Sequence, residues 1–561
     1  MRGRADASLL QMPKNSGSQN ALERGGACLS CRHRKVRCDG ARPACGRCSE
    51  FGRAEDCEYV DSQGQTESQN LEASIARLEA RIRQLGGTLP TSPEVVFHEP
   101  CLDGQPQGSS FSSWSSRRGD RPRQASYIQL SLQDNWWQTP APPKNVAKML
   151  VDFFARHAAQ FGFFLNGPRV LKSIFSPDAQ QPPSASLVNT IFLFGIQLSG
   201  SPALQARESV FLGRALQSSP SILPHQVLQN IQAEVLIGHY FLRQGRFLEA
   251  MHRINTAASL SIGCGLHKLD STDNGRTAYA LPATHDSVEQ GEHVNAFWTI
   301  LSLHKSWGIV LQWPSSVSDI LDEQIDLPWP LEMEVYESGI VPINPHHQFT
   351  MKAFIEDPMS ANYEAANSGL AQRVKAATLF ERASHMGGNR TNLSDPHEYA
   401  QFLRFERGMN QFILTLPSFD SVGGSIDSIR NRLVTFTLCQ VAMIQLHSAF
   451  DNPASIHKCL NAVRSVVSVN QRIPNMQAWE YINPTMGTLW VALCQIIVRG
   501  IATIKNPRAA SRGWSASVSA SDYPFLKAAF ANITSTMSMF SPHCLLIDYQ
   551  LGRVQEFCKA I

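Results

Sequence analysis

Charged residues are scarce in this 561-residue chain, where Asp, Glu, Lys and Arg make up 17% of the total, against roughly a quarter in ordinary globular proteins. Long apolar runs are also lacking. The two best, at 187–198 and 488–498, fall short of the roughly 20 residues that span a bilayer, so we expect buried helices there and no membrane contact. Residues 1–21 lack the apolar stretch of a secretory signal. We therefore expect an intracellular protein, whose thiols stay reduced.

Familiar catalytic motifs are missing as well. The chain contains no G-x-x-x-x-G-K, H-E-x-x-H or G-x-S-x-G pattern, and these patterns mark phosphate-binding loops, zinc proteases and serine hydrolases. The sequence thus predicts no catalytic site and a protein that is not an enzyme. The alternative is an enzyme whose C-terminal body performs chemistry while the N-terminal region targets it, and turnover by residues 146–561 would support it.

Cysteine, by contrast, is concentrated near the N-terminus. Six of the thirteen cysteines follow the spacing C-x2-C-x6-C-x6-C-x2-C-x8-C, and they are Cys28, Cys31, Cys38, Cys45, Cys48 and Cys57. A C-x2-C pair directs two thiolates to one ion, so the pattern forms two half-sites, each a pair plus a single cysteine. Sharing two sulfurs between two zinc ions completes both tetrahedra. Because so short a segment has almost no apolar core, metal binding is expected to fold it.

The same stretch is strongly basic. Between Arg24 and Arg47 there is one acidic residue, Asp39, and there are seven basic residues, namely Arg24, Arg32, Arg34, Lys35, Arg37, Arg42 and Arg47. Positive charge gathered at one end of a chain of net charge +3 points to a polyanionic partner.

These residues resemble the fungal binuclear zinc-cluster family of transcription factors. The likeness lies in C-R-H-R-K-V-R-C (Cys31–Cys38), D-G-A-R-P-A-C (Asp39–Cys45) and G-R-C (Gly46–Cys48). It implies that Cys28 and Cys45 bridge two zinc ions and that the first helix enters the DNA major groove. It also implies a nuclear protein that regulates RNA polymerase II genes through GC-rich, CGG-like half-sites.

The resemblance further divides the basic residues by role. Arg34 and Lys35 stand where the family contacts bases, and Arg32 and Arg37 stand where phosphate contact or support of the cluster is expected. Such a division is physically sensible, since base contacts specify a sequence whereas phosphate contacts position the protein. The alternatives are a disulfide scaffold, a purely structural zinc module, and a module that binds protein instead of DNA.

A short amphipathic helix is predicted at residues 71–86. Its apolar residues alternate in steps of four and three, and they are Leu71, Ile75, Leu78, Ile82 and Leu85. Ile at a and Leu at d favour a parallel two-stranded coiled coil, so we expect a homodimer with two reading heads. The alternative is a helix that packs on its own chain.

The remaining chain separates into linkers and a large body. We expect a disordered N-terminus at 1–23, the zinc-cluster domain at 24–60, a linker at 61–70, a low-complexity linker at 87–145 and a helical body at 146–561. Trp136 and Trp137 are candidates to dock onto that body. Helical periodicity is predicted at Val146–Phe164, Leu187–Leu198, Val227–Leu242, Phe247–Cys264, Val294–Leu311, Gln372–Met386, Tyr399–Leu416, Ile429–Phe450 and Ser455–Val469. The Ser- and Ala-rich segment Asn506–Tyr523 is expected to be a loop. The fold class is mainly α.

The body is similar to the middle homology domain of the same family. The likeness rests on Gln244-Gly245, on Gly263–Lys268 and on Phe297–His304. It implies an all-helical regulatory domain that restrains activity or senses a small-molecule effector and that contacts transcriptional co-regulators.

Overall fold

The computed structural model describes residues 26–54, 57–59, 135–176, 182–218, 223–268, 281, 283–311, 325–341, 350–356, 367–388, 395–419 and 425–559. The chain divides into two compact units, residues 1–99 and 100–561. Helices are the regular elements of the described residues, apart from one isolated bridge between Lys268 and Asp326. The mainly α prediction is confirmed.

Among its described residues, the first unit carries two short helices, α1 (Leu29–His33) and α2 (Gly46–Glu50), which pack together. In the described part of this unit the six cysteines form one buried cluster, and the partly buried apolar residues packed against it are Ala27, Ala44 and Tyr59. So small an apolar core agrees with the expectation that metal, not hydrophobic burial, folds this unit.

The second unit contains eighteen α-helices among its described residues. They are α3 (Lys144–Ala155), α4 (Gly167–Phe175), α5 (Ala185–Leu198), α6 (Pro202–Gln205), α7 (Glu208–Gln217), α8 (Pro224–Arg243), α9 (Phe247–Gly263), α10 (Ser287–Val310), α11 (Met333–Glu337), α12 (Thr350–Glu356), α13 (Gly369–Gly388), α14 (Pro396–Thr415), α15 (Ile426–His447), α16 (Pro453–Arg472), α17 (Thr485–Lys505), α18 (Arg512–Ser517), α19 (Tyr523–Phe540) and α20 (Leu545–Lys559).

Helices α10, α13 and α15 form the centre of this body. Helix α13 packs between α10 and α15, while α9 covers α10 and α16 covers α15. Further along, α17 packs against α19 and α20. One continuous apolar cluster runs through all of these layers, as expected for a single core.

Helix α17 is long and apolar enough to cross a membrane by length and composition alone. In the body it packs against α15, α19 and α20, and Trp490 and Leu493 are fully buried. The structure therefore gives it the role of a core helix, as the sequence predicted for residues 488–498.

Two predicted segments differ from the structure. The single helix expected over Val146–Phe164 ends at Ala155, is followed by a 3-10 turn at Ala158–Phe161, and stops at Gly162, whose φ is +69°. A residue in the left-handed region cannot continue an α-helix. Asn506–Tyr523 is not a plain loop, since it contains α18 and a 3-10 turn at Ala520–Asp522.

The two tryptophans do dock onto the body. Trp136 is buried and its ring lies 5.8 Å from that of Phe211, while the Arg207 guanidinium lies 4.1 Å from the centre of the Trp137 ring. These contacts anchor residues 136–138, which the sequence assigned to the linker, to helix α7.

Candidate metal centre and nucleic-acid interface

Each short helix of the first unit begins at a cysteine. Cys28 is the N-cap of α1, and its sulfur accepts the N–H of Cys31 at 3.4 Å. Cys45 is the N-cap of α2, and its sulfur accepts the N–H of Cys48 at 3.3 Å. An N-cap acceptor satisfies one of the N–H groups that a helix leaves unpaired. The C-x2-C spacing therefore places both sulfurs of a pair at one helix start.

The sulfurs of the two pairs converge. Cys28 Sγ lies 3.8 Å from Cys45 Sγ and 3.9 Å from Cys48 Sγ, and Cys31 Sγ lies 3.6 Å from Cys45 Sγ. A tetrahedral zinc with Zn–S bonds near 2.3 Å separates neighbouring sulfurs by about 3.8 Å. All six cysteines are buried free thiols, so the spacing fits a zinc site and excludes a disulfide scaffold for this arrangement.

The remaining two cysteines lie beside the same centre. Cys38, Asp39 and Cys45 form a second group whose ligand atoms lie within 4.8 Å of one another. Cys57 Sγ accepts the N–H of Cys45 at 3.2 Å. The structure thus brings together all six of the predicted metal ligands.

The thiols of the cluster differ in acidity: although burial raises the pKa of Cys38, hydrogen bonds from the backbone and from neighbouring side chains lower it to about 7. Burial raises the pKa of the Cys28 thiol and raises that of Cys31 to about 12. Thiols of this kind remain neutral on their own, whereas zinc requires thiolates. A bound zinc would supply the positive charge that holds the thiolates together and would cross-link α1 to α2.

Three further residues support the loop between the helices. Asp39 carboxylate oxygens accept the N–H of Gly46 at 3.0 and 3.2 Å and that of Ala41 at 3.3 Å. The Tyr59 hydroxyl donates to the Ala41 carbonyl at 2.8 Å, and the Arg42 guanidinium lies 4.8 Å from the centre of the Tyr59 ring. No role for Tyr59 was predicted from the sequence. Its position two residues after the last cysteine was the available signal.

The four predicted DNA contacts lie on one continuous exposed segment. Arg32, Arg34, Lys35 and Arg37 are all exposed. Arg32 lies in α1, Arg34 and Lys35 form the turn that ends it, and Arg37 follows that turn. Arg34 is the C-cap, and Lys35 follows in the left-handed region with a φ of +54°. Gly52 holds the matching place after α2, with a φ of +64°. A lysine is unusual there, because a side chain in this conformation costs about 1–2 kcal/mol.

The predicted dimerisation seam is not part of this geometry. Residues 60–134 lie outside the described residues, and this range holds the 61–70 linker and the coiled coil at 71–86. Leu71, Ile75, Leu78, Ile82 and Leu85 remain predictions.

Several fungal transcription regulators are similar to parts of this chain. Citrinin biosynthesis transcriptional activator mrl3 of Monascus ruber is 32% identical over 118 residues, which is 20% of this chain and 23% of that protein. Notoamide biosynthesis cluster transcriptional coactivator notQ' of Aspergillus versicolor is 45% identical over 64 residues, covering 11% and 12% respectively. Transcriptional activator protein acu-15 of Neurospora crassa is 42% identical over 66 residues, covering 10% and 7%. The chain spans less than a quarter of the length of these relatives.

A family model matches the same segment that contains the cysteine cluster. The match covers residues 26–66 and the family is the fungal Zn(2)-Cys(6) binuclear cluster domain. Its limits enclose all six cysteines, both short helices and the four exposed basic residues. This part of the chain is therefore a zinc-binding domain of that family.

Proposed function

We propose that the chain is a zinc-dependent, sequence-specific DNA-binding transcription regulator that acts in the nucleus and is not an enzyme. One observation carries the proposal: a six-cysteine centre with zinc-like sulfur spacing holds a short helix whose last turn presents exposed basic residues. Such a cluster of positive charge suits the DNA backbone and the acceptor atoms of the major groove. The three similar regulators support the same function.

We propose that this domain binds two zinc ions and that Cys28 and Cys45 each coordinate both of them. Cys28 Sγ lies close to Cys48 of the opposite pair, and Cys45 Sγ lies close to Cys31 of the opposite pair. The two sulfurs also lie 3.8 Å from each other. The choice of Cys28 and Cys45 as shared ligands follows the family resemblance, and their short separation is compatible with it.

The reading residues in the proposal are Arg34 and Lys35, with Arg32 and Arg37 contacting phosphate. A basic side chain at the end of a helix can donate to the N7 and O6 acceptors of guanine, which favours GC-rich, CGG-like half-sites. The left-handed backbone at Lys35 supports this assignment, since strained backbone outside glycine tends to occur at functional positions.

The architecture in the proposal is a homodimer on two half-sites. The heptad seam formed by Leu71, Ile75, Leu78, Ile82 and Leu85 would join the chains, and the linker at 61–70 would help to set the distance between the two heads. The helical body would regulate RNA polymerase II genes through co-regulators, as the resemblance to the middle homology domain implies.

Selection of DNA from a random pool tests the proposal. Zinc-loaded full-length protein is expected to enrich a pair of GC-rich triplets, and the pair's spacing reports the dimer. Protein treated with chelator should enrich nothing, and chelator already saturated with zinc serves as the control. Retention of zinc without any enrichment would reject DNA reading and favour a protein-binding module.

A further inference from the structure

The helical body contains a large cavity between its central helices. Its volume is about 690 Å³, and helices α8, α10, α13 and α15 contribute to its lining. Cavities of roughly 300–1,000 Å³ are typical of small-molecule sites.

One face of α10 is polar where it borders this cavity. Asn295, Thr299, Ser302 and Ser306 recur at steps of four, three and four, so they lie along a single face. All four are buried, and the other residues of α10 over 294–307 are apolar apart from His304 and Lys305. The carbonyl oxygen of Asn295 is buried without a hydrogen-bond partner. Buried polar groups normally have partners, so this face is built for polar contact with something in the cavity.

A neutral histidine faces the same space from α8. His239 is 2% exposed, and its Nδ1 atom is also buried without a partner. Burial and, to a smaller extent, the positive charges of Arg373 and Arg243 together lower the pKa of His239 to about 3. The ring is therefore neutral near pH 7, with one nitrogen that donates and one that accepts.

Arg373 places a cation in this lining. The guanidinium, on α13, donates to the Asn431 side-chain oxygen on α15. Burial lowers the pKa of Arg373 to about 10. Among the described residues, no carboxylate forms an ion pair with Arg373. A guanidinium so placed retains donors for an anion, since it carries five N–H groups in a fork that matches a carboxylate.

The three carboxylates of the described lining are engaged elsewhere or face solvent. Asp427 accepts from Arg430 at 3.1 Å and from the Gln160 amide at 3.2 Å. Glu332 accepts the backbone N–H of Gly369 at 2.7 Å, and both Glu332 and Glu334 are exposed. None of them neutralises Arg373.

We propose that this cavity binds a small organic acid, whose carboxylate pairs with Arg373 and whose polar remainder contacts Asn295, Ser302, Ser306 and His239. The ligand completes the hydrogen bonds that the Asn295 and His239 side chains lack and supplies the negative charge that the Arg373 surroundings lack. Binding itself stands apart from DNA recognition. Its meaning as an effector signal rests on the proposed function.

The test uses zinc-loaded full-length protein with succinate, L-malate, citrate and 4-hydroxybenzoate, each paired with its primary amide. Calorimetric titration should show at least one acid binding, with its amide binding at least about tenfold more weakly. Arg373→Gln should weaken that acid about 30-fold or more, since removing one partner of a buried charge pair costs at least about 2 kcal/mol. Arg407→Gln, an exposed arginine of α14 outside this lining, should bind like the wild type.

The ligand-free melting temperature separates a binding role from a structural one. Because a buried charge without a counter-ion is costly, Arg373→Gln should melt at the wild-type temperature or above. Should that variant fold poorly, Asn295→Leu replaces it, since it removes an unpaired polar group and should weaken the acid several-fold.

Three results would overturn the proposal: no acid binding better than its amide, undiminished binding in Arg373→Gln and Asn295→Leu, or a large loss of ligand-free stability in both variants. If the protein bound an acid but selected no DNA, the proposed DNA-binding function would be rejected and the ligand-binding proposal would stand.

Discussion

At the scale of single residues, the two helix-capping cysteines occupy positions that the other four do not. Cys28 and Cys45 are the N-cap residues of α1 and α2, and their sulfurs lie 3.8 Å from each other, whereas Cys57 accepts one backbone N–H from Cys45. If Cys28 and Cys45 are shared ligands, Cys28→Ala or Cys45→Ala should remove both zinc ions. Cys57→Ala should keep roughly one zinc per chain, because one complete tetrahedron survives.

These outcomes are distinguished by the number of zinc ions per chain. That number is measured by elemental mass spectrometry of the purified full-length protein. Cys264→Ala is the matched control, because Cys264 is the C-cap residue of helix α9 in the body. This variant should leave the zinc content unchanged. Equal loss of metal in Cys28→Ala, Cys45→Ala and Cys57→Ala would contradict the bridging assignment.

Lys35 and Gly52 hold the same backbone position after two related helices, yet only the first carries a side chain. Lys35→Gly should relieve about 1–2 kcal/mol of left-handed strain while reducing discrimination between DNA sites by about 1–3 kcal/mol, the worth of a good base contact. The measurement is the ratio of Kd values for the selected duplex and for one with a changed triplet, at one salt concentration.

Gly52→Ala provides the opposite case. Nothing lies within 4 Å of the added Cβ, but the φ of +64° strains any side chain, so the zinc-loaded domain should lose stability and keep its discrimination. If Lys35→Gly discriminated as well as the wild type, Lys35 would not be a reading residue.

At the scale of helices, close packing depends on particular glycines. A Cβ on Gly195 of α5 would collide with the backbone carbonyl of Leu150 on α3. Gly195→Ala must therefore push the two helices apart, at a cost of about 1–3 kcal/mol. Gly213 of α7 has nothing within 4 Å of its Cβ position, so Gly213→Ala should stabilise the body by about 0.5–1 kcal/mol through the higher helix propensity of alanine.

Thermal unfolding of the two variants beside the wild type measures both effects. The melting temperature should fall for Gly195→Ala and rise slightly for Gly213→Ala. An unchanged melting temperature in Gly195→Ala would mean that helix α5 does not pack on α3 as closely as described.

The helices were largely predictable because their apolar periodicity is local. The expected segments over 187–198, 227–242 and 247–264 correspond to α5, α8 and α9 within a few residues. The break after Ala155 was missed because the apolar pattern continues through Phe161 and Phe164, which pack into the core from a 3-10 turn and an extended segment. Helix α18 was missed because its exposed surface is rich in Ser and Ala, while Trp514 supplies most of its burial.

At the scale of the whole molecule, a site could be predicted from the sequence when its residues lie close together along the chain, and could not when they lie far apart. The zinc centre lies within 30 residues, so its spacing alone identified all six cysteines that the structure brings together in one buried cluster. The cavity draws His239, Asn295, Arg373 and Asn431 from four separate helices, and only the packing of those helices makes them neighbours. Within α10 the polar face at 295–306 was readable, but a polar face normally indicates solvent, and its burial comes from tertiary structure.

Because the chain forms two compact units, removal of zinc should affect them differently. The first unit has a core of six cysteines and should unfold when a chelator takes its metal, so binding to the selected duplex should be lost. The second unit has a continuous apolar core and should keep its melting transition within about 2 °C, since ΔG of a large hydrophobic core does not depend on the metal. The far-UV helical signal should fall only slightly, because α1 and α2 have five residues each.

Chelator saturated with zinc is the control, and it should change neither property. A melting transition of the body that disappears together with the zinc would mean that the two units fold as one, and the metal would then stabilise the whole chain instead of the DNA-binding domain alone.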